Sequence, residues 1–301
     1  MDSSSEQFKS GFVALVGRPN AGKSTLINAV LEQKLTITSS VPQTTRHRLR
    51  AILNLPGAQL ILVDTPGIHK PLDALGEELN RSALEAFSDV DLVAFVLDAT
   101  QPLGKGDRWI LEQLRLAKTR ALLVLTKTAL ATAEQVAAQQ QAAAAEYDFI
   151  ATVRTSALEG QGRQDFITAC VGQLPAGPAW FPPDVNTDQP LEVLVAEFIR
   201  EQILTSTYDE LPHAIGVVSE DIKYDAKANR YSIAAIIYVE HESQKGIIIG
   251  KGGAMIKAIG SQARRDIEHL LAASVYLDLR VKLRKNWRRD ANQIRRFGYG
   301  D

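Results

Sequence analysis

The sequence predicts a two-domain protein: a doubly wound α/β domain with a mostly parallel sheet, followed by an α+β domain. Three observations lead to this fold class. Short apolar runs alternate with helical patterns from residue 12 to residue 174. A proline-rich segment then interrupts the alternation, and a different order of elements follows it. Finally, 301 residues are enough for two hydrophobic cores.

The first domain is predicted to span residues 8–176. Its apolar, β-branched runs predict buried parallel strands at Phe12–Val16, Leu60–Asp64, Leu92–Asp98, Ala121–Leu125 and Ile150–Arg154. The segments between them predict helices at Ser24–Glu32, Leu75–Ser88, Gly106–Ala117, Ala133–Glu146 and Gly162–Leu174. Arg48–Leu55 precedes a Pro56-Gly57 turn, which predicts an antiparallel strand at the sheet edge.

A linker is predicted at residues 177–190. Four prolines and one glycine fall within residues 175–183, and such a segment continues neither a helix nor a central strand. The second domain is therefore predicted to span residues 191–301. Its expected elements are a helix (Leu191–Leu204), two strands (Ala214–Tyr224, Arg230–Glu240), two helices joined by a glycine loop (Lys245–Leu271), a strand (Val275–Arg284) and a last helix (Arg288–Phe297).

Composition and charge narrow the class of protein. Apolar residues make up 45% and charged residues 23%, as in ordinary globular proteins. We expect no signal peptide and no transmembrane helix, and therefore an intracellular protein. The single cysteine, Cys170, excludes an internal disulfide, and we expect it to be buried. Residues 245–301 contain thirteen Lys and Arg against five Asp and Glu, which indicates a polyanionic partner.

Residues 17–24 match the phosphate-loop pattern G-x-x-x-x-G-K-[ST]. The pattern follows a predicted strand and opens a predicted helix, which is the context that it requires. Backbone N–H groups and the helix N-terminus would hold phosphates, with Lys23 at the β- and γ-phosphates and the Ser24 hydroxyl on Mg²⁺. The predicted nucleotide-binding residues here are Gly17, Arg18, Pro19, Asn20, Ala21, Gly22, Lys23, Ser24 and Thr25.

A second motif, Asp64-Thr65-Pro66-Gly67, ends an apolar strand. An aspartate at this position faces the crevice where open α/β sheets bind ligands. We expect Asp64 in the magnesium shell, Thr65 and Pro66 beside the nucleotide, and the Gly67 N–H at a γ-phosphate. Between the two motifs lies Gln43-Thr44-Thr45-Arg46, and either Thr44 or Thr45 is expected to close over the magnesium ion.

The two motifs and the Gln-Thr-Thr-Arg segment resemble those of the Era family of GTPases, and the resemblance extends from Phe12 to Trp287. It implies Mg²⁺-dependent hydrolysis of GTP to GDP. The implied catalytic residues are Lys23, Asn20, Thr44, Thr45 and Gly67. Ile68 occupies the position that holds a water-orienting glutamine in Ras-like enzymes. The resemblance offers Asn20 as a support for K⁺, the alternative being that Asn20 only shapes the turn.

The base-reading motifs of the family are only partly present. Ser156-Ala157-Leu158 matches one of them, but Thr126-Lys127-Thr128-Ala129 has alanine where the family places an aspartate. That aspartate accepts two hydrogen bonds from guanine, and losing it costs about 2–4 kcal/mol. We therefore expect weakened guanine selectivity. A non-hydrolysing, degenerate nucleotide domain is the alternative, and the Era-like motifs argue against an ATPase.

Residues 250–253, Gly250-Lys-Gly-Gly253, match the pattern G-x-x-G and lie between two predicted helices. Together with the α-β-β-α-α-β order it resembles a type II KH domain, which clamps single-stranded RNA. The predicted RNA-binding residues are Ile249, Gly250, Lys251, Gly252, Gly253, Lys257, Lys282 and Arg284. Ile247–Ile249 would line the groove for the bases or belong to the core, and the sequence leaves both open.

The resemblance also implies partners and a location. The implied RNA is the 3′ end of 16S rRNA, and the implied role is assembly of the small ribosomal subunit. It further implies a cytoplasmic monomer, with a peripheral association at the inner face of the cell membrane as one property of the family. The competing interpretation is an RNA-binding protein whose nucleotide domain no longer hydrolyses.

Overall fold

A computed structural model describes residues 7–39, 41, 44–68, 73–87, 89–207 and 211–299. Gln43 of the predicted threonine segment lies outside these residues. The chain divides into two compact units. The first holds most residues up to Asp188, and the second holds residues from Gln189 onward together with two short segments, 34–44 and 73–78.

The first unit is the predicted doubly wound α/β domain. Its strands are β1 (Lys9–Val16), β2 (Leu49–Leu55), β3 (Ala58–Asp64), β4 (Leu92–Asp98), β5 (Ala121–Thr126) and β6 (Ala151–Arg154). Its helices are α1 (Lys23–Leu31), the part of α2 (Ala74–Glu85) from Leu79 onward, α3 (Lys105–Ala117), α4 (Ala133–Glu146) and α5 (Arg163–Gln173). The sheet order is β2-β3-β1-β4-β5-β6, and β2 alone among these strands pairs antiparallel, as the Pro56-Gly57 turn predicted.

The strand order places a ligand crevice at the carboxyl ends of the strands. Strand β3 lies on one side of β1, and β4 lies on the other. The direction in which successive strands join the sheet therefore reverses at β1. Every residue of β3, β4 and β5 is buried, which explains their continuous apolar composition. In such a sheet the loops that follow the central strands meet at one edge, where ligands bind.

The second unit has the predicted α-β-β-α-α-β order. Its elements are α6 (Leu191–Ser206), a short α7 (Leu211–Ala214), β7 (Gly216–Asp225), β8 (Arg230–Val239), α8 (Glu242–Ile249), α9 (Ala254–Leu271), β9 (Ser274–Leu283) and α10 (Ala291–Arg296). The sheet order is β7-β8-β9, with β7 antiparallel and β9 parallel to β8, so β9 is an edge strand. The core lies between α6, α9 and one face of this sheet.

The structure corrects the predicted start of β7 and the predicted last helix, and α8 also begins at Glu242 rather than at Lys245. Residues 211–214 form a helical turn, so β7 begins at Gly216 rather than at Ala214. The predicted last helix is divided: Trp287–Arg289 forms a 3₁₀ turn, and α10 begins only at Ala291. The cause is Asp290, whose carboxylate accepts hydrogen bonds from the Asn292 and Gln293 N–H groups and so starts a new helix.

A buried ion pair stabilises the second unit. Arg200 of α6 is fully buried, and its Nε and Nη2 donate to the Glu197 carboxylate at 2.8 and 2.6 Å. Nη2 also donates to the Thr44 carbonyl. Burial lowers the pKa of this guanidinium, but Glu197 outweighs that effect and the pKa is raised. The arginine is therefore charged, and its partners offset the cost of burying it.

The structure also confirms the prediction for the single cysteine. Cys170 of α5 is buried, as predicted, and burial raises the pKa of its thiol. Among the described residues, no helix is long and apolar enough to cross a membrane.

Candidate functional site

The phosphate loop connects β1 to α1, and its shape depends on close backbone packing. Gly22 has a left-handed backbone, with φ of 99°, directly before α1. Gly67 allows the second motif to approach the loop, because a β-carbon there would lie 2.7 Å from the Pro19 nitrogen. The Thr126 hydroxyl at the end of β5 donates to the Ala21 carbonyl at 2.5 Å. The two motifs and the end of β5 therefore form one site.

Lys23 lies inside this loop. Its Nζ donates to the Gly17 and Arg18 carbonyls at 3.0 Å each, and the residue is 5% exposed. Burial lowers the pKa of Lys23 to about 8, against the opposing attraction of Asp64. An anion bound in the loop would relieve this cost, so the site favours a ligand that carries phosphate.

Three oxygen-bearing side chains converge beside Lys23. The Ser24 hydroxyl donates to Asp64 Oδ2 at 2.8 Å, and Thr45 Oγ1 lies 3.1 Å from Ser24 Oγ and 3.4 Å from Asp64 Oδ2. The other carboxylate atom, Asp64 Oδ1, is buried and accepts no hydrogen bond in the described part of the chain. Hard oxygen donors in this number fit Mg²⁺, which keeps several waters and binds through phosphates as well.

The two candidate threonines occupy different environments. Thr45 faces Ser24 and Asp64, whereas the Thr44 hydroxyl donates to the Val41 carbonyl at 2.6 Å. The structure thus places Thr45, and not Thr44, with the predicted metal ligands. Thr65 is also directed inward, since its hydroxyl donates to the Leu15 carbonyl at 2.7 Å and supports the strand end.

Other residues of the predicted set shape the loop. Asn20 adopts a left-handed backbone, with φ of 61°. The Arg18 guanidinium pairs with Asp107 of α3, with Nε 2.8 Å from Oδ2. Thr25 follows Ser24 within α1.

The loops that follow β5 and β6 form the predicted base site. Thr128 donates to the Thr155 carbonyl through both its N–H, at 3.2 Å, and its hydroxyl, at 3.0 Å, which ties the two loops together. Ser156 and Gln161 exchange backbone hydrogen bonds of 3.1 Å, which close the turn that carries Ala157 and Leu158. Ala129 lies exposed in the first loop.

Lys127 has a partner that the sequence analysis missed. Its Nζ lies 2.6 Å from Asp98 Oδ2 at the end of β4. Burial would raise the pKa of Asp98, but hydrogen bonds from Lys127 and Thr100 outweigh burial and lower it. The signal was available, because Asp98 ends an apolar strand in the same way as Asp64. It was overlooked because no motif marks it.

The predicted RNA-binding loop joins α8 to α9. Gly250 is required there, because a β-carbon would lie 2.8 Å from the Met255 nitrogen and the φ is 72°. Lys251 and Lys257 are exposed, and Gly252 and Gly253 complete the turn before α9. Among the isoleucines, Ile248 belongs to the core, Ile247 is 51% exposed and Ile249 is half-buried. The structure therefore divides them between the two roles that the sequence left open.

A groove of about 340 Å³ lies between α9 and the edge strand β9. It brings Lys257 together with residues that the sequence analysis did not select, namely Arg230, Ile256, Gly260, Ser261, Arg264, Val275, Tyr276, Leu277 and Leu279. Lys282 and Arg284 are not among its lining residues. Lys282 is 3.9 Å from Glu220, and the Arg284 N–H donates to the Val239 carbonyl. These two predicted residues are thus set apart from the groove.

The fold and these two sites define the class of protein: a P-loop nucleotide-binding domain joined to a KH-type domain. Residues 12–127 match the family described as 50S ribosome-binding GTPase, and residues 210–288 match the KH domain family. GTPase Era of Mycolicibacterium smegmatis is 46% identical over 297 residues, covering 97% of this chain and 99% of the relative. GTPase Era of Mycobacterium tuberculosis is 46% identical over 298 residues, with the same coverage.

Solved structures agree with the sequence relatives. A crystal structure of Era in complex with MgGDPNP and nucleotides 1506–1542 of 16S ribosomal RNA has a TM-score of 0.93 at 36% identity, covering 97% of this chain and 99% of that one. Aquifex aeolicus Era bound to GDP·AlF₄⁻ matches with the same TM-score, identity and coverage. The chain belongs to the Era family of GTPases.

Proposed function

We propose that this chain is a Mg²⁺-dependent GTPase that binds the 3′ end of 16S rRNA through its KH domain and assists assembly of the small ribosomal subunit. The observation that carries the enzymatic part is the convergence of Ser24, Thr45 and Asp64 beside a buried Lys23. A related Era structure holds MgGDPNP and a segment of 16S rRNA, which supports the same pair of ligands for this chain.

Each residue of the phosphate site has a role in this proposal. The loop of residues 17–25 holds the phosphates through backbone N–H groups, and Lys23 offsets their negative charge. Ser24, Thr45 and Asp64 hold Mg²⁺, which supplies further positive charge to the phosphates when it is bound. We assign the Gly67 N–H to the γ-phosphate, and the close approach of Gly67 to Pro19, which brings this backbone to the loop, supports that role.

Base selection is the part of the site that we expect to be weak. Ala129 contributes no acceptor for guanine, which leaves Lys127, Thr126 and the turn at Ser156, Ala157 and Leu158 around the base. We propose that GTP is still preferred, with lower affinity than in relatives that have the aspartate.

Hydrolysis is the first test of this function. We expect release of phosphate from GTP in the presence of Mg²⁺, with loss of activity on chelation and in the Lys23→Ala variant. RNA binding is measured in parallel with a 3′-terminal 16S rRNA oligonucleotide and a scrambled control of equal length. RNA binding without Mg²⁺-dependent turnover would instead support the RNA-binding protein with a degenerate nucleotide domain, the alternative that Ala129 favours.

A monovalent cation belongs to the same proposal. Ile68 offers no polar group to the attacking water, so the transition-state charge needs another source of stabilisation. We assign K⁺ to this role, held beside the phosphates by Asn20. Hydrolysis should be faster in potassium than in sodium buffer at equal ionic strength. Equal rates in the two buffers would exclude a role for K⁺, and Asn20 would then only shape the turn.

The cellular setting is inferred from the family. We propose a monomer that acts in the cytoplasm, where the small ribosomal subunit is assembled, and that associates peripherally with the inner face of the membrane. Sedimentation of the purified chain with and without anionic vesicles checks both the monomeric state and the membrane association.

A further inference from the structure

The groove between α9 and β9 has positive charge along its length. Lys257 lies in the first turn of α9, just after the glycine loop, and Arg264 lies seven residues further along the same helix. At a rise of about 1.5 Å per residue, the two charges are roughly 10 Å apart. A single strand of RNA whose backbone is clamped at the loop would therefore meet further positive charge as it follows the helix.

The opposite wall of the groove is the free edge of β9. Alternation along this strand directs Val275, Leu277 and Leu279 to the core face, where they belong to or pack against the core cluster. Tyr276 stands on the other face and is 55% exposed. It nevertheless lines the groove, because it lies at the edge of the sheet. The groove thus ends beside an exposed aromatic ring.

The Tyr276 ring contacts the positively charged side chain of Arg230. The guanidinium carbon of Arg230 lies 5.8 Å from the centre of the Tyr276 ring, within the range of a cation–π contact. Arg230 comes from the start of β8, the strand next to β9, and also lines the groove. It makes no ion pair with any residue that the structure describes, so its donors remain available to a phosphate. One face of the ring is covered by the guanidinium, and the exposed remainder can receive a flat partner.

We propose that Tyr276, supported by Arg230, is a stacking platform for one base of the bound RNA, beyond the nucleotides clamped by the glycine loop. This inference rests on the proposed RNA-binding function and names a further residue of the same site. A KH loop holds about four nucleotides through their backbone, whereas an aromatic platform binds the base itself. Because every base has a flat face, the platform adds affinity with little preference for sequence.

The test measures binding of a fluorescein-labelled octanucleotide from the 3′ end of 16S rRNA to the full chain. Tyr276→Ala is expected to weaken binding by about 5- to 150-fold, the range for loss of one stacked base. Tyr276→Phe keeps the ring and should bind within about twofold of the parent chain. Tyr224→Ala is the matched control, since Tyr224 is 52% exposed and packs on Tyr231 at 4.6 Å but does not line the groove.

A set of octanucleotides, each with one abasic position, separates stacking from a general structural effect. In the parent chain, one abasic position should weaken binding by about as much as Tyr276→Ala does. In the Tyr276→Ala variant the same position should have no further effect. Thermal unfolding of each variant confirms that the second unit is folded.

Three outcomes would overturn the inference. If octanucleotide binding is unchanged in Tyr276→Ala, or is weakened equally in Tyr224→Ala, Tyr276 is not a stacking platform. If Tyr276→Ala and the parent chain are equally sensitive to every abasic position, no single base stacks on the ring. If the parent chain binds no octanucleotide at all, the proposed RNA-binding function fails as well, which distinguishes the two failures.

Discussion

Replacing Ala129 by aspartate should restore guanine recognition. Ala129 lies in a 3₁₀ turn, Thr128–Leu130, that begins after Lys127 in a left-handed conformation. Two hydrogen bonds from Thr128 to the Thr155 carbonyl hold this turn in place. The side chain at position 129 is exposed, so a carboxylate there displaces no packed atom. The turn therefore presents the new carboxylate without a cost in packing.

The expected gain follows from the two hydrogen bonds that the carboxylate would accept from guanine. Hydrogen bonds to charged groups contribute about 1.5–3 kcal/mol each, and solvent screening at an exposed turn reduces their sum to about 2–4 kcal/mol. This corresponds to roughly 30- to 1000-fold tighter binding of guanine nucleotides. Adenine offers no matching pair of donors, so ATP should gain nothing.

The assay is a titration of fluorescent GDP with Mg²⁺, competed by GTP and by ATP, on the parent chain and on Ala129→Asp. Ala133→Asp is the matched control, because it adds the same charge at an exposed position at the start of α4. A gain of tenfold or more in Ala129→Asp alone, with ATP inert, is expected. An equal gain for ATP, or for Ala133→Asp, would refute the hydrogen-bond argument. Absence of guanine nucleotide binding in every version would refute the GTPase proposal itself.

Two further predictions concern the metal ligands and the buried ion pair. Thr45→Ala should reduce Mg²⁺-dependent hydrolysis by at least about tenfold, and Thr44→Ala should have the smaller effect, in single-turnover assays across a Mg²⁺ titration; the reverse order would refute the assignment of Thr45. Arg200→Met leaves the Glu197 carboxylate buried without its partner and should lower the free energy of unfolding by about 3–5 kcal/mol in urea denaturation. The double variant Arg200→Met with Glu197→Gln should recover part of the lost free energy of unfolding. An equal loss in the single and double variants would contradict the ion-pair explanation.

A phosphate site could be predicted from the sequence because the determinants of the loop are local. The spacing from Gly17 to Ser24 and the strand that ends at Asp64 are both set by neighbouring residues, so the pattern alone indicates the chemistry. The choice between Thr44 and Thr45 was not accessible in this way. Adjacent side chains in an irregular segment have no periodicity, and only their tertiary contacts with Ser24 and Val41 distinguish them.

The RNA-binding face was harder to predict. The glycine loop is a local signal, but the groove is formed by α9 and β9, and which residues line it depends on how the two elements pack. A basic, alternating strand pattern pointed to Lys282 and Arg284, which lie beyond the groove. Arg264 and Tyr276 were missed because a single arginine on a helix and a single tyrosine on a strand are ordinary surface residues until packing brings them together.

The intact phosphate site and the incomplete base site lead to different conclusions about function, and energetics decides between them. Lys23 and Asp64 are both buried, and burial lowers the pKa of Lys23 to about 8. Without a phosphate ligand this arrangement destabilises the fold, because apolar residues of similar size would bury at lower cost. Alanine in place of the guanine-reading aspartate at position 129 does not destabilise the fold, since this position is exposed. The features that destabilise the free protein are thus retained where phosphate and Mg²⁺ would bind, whereas the missing acceptor affects only the choice of base. A hydrolysing enzyme with relaxed base selection accounts for both facts, and a degenerate nucleotide domain accounts only for the second.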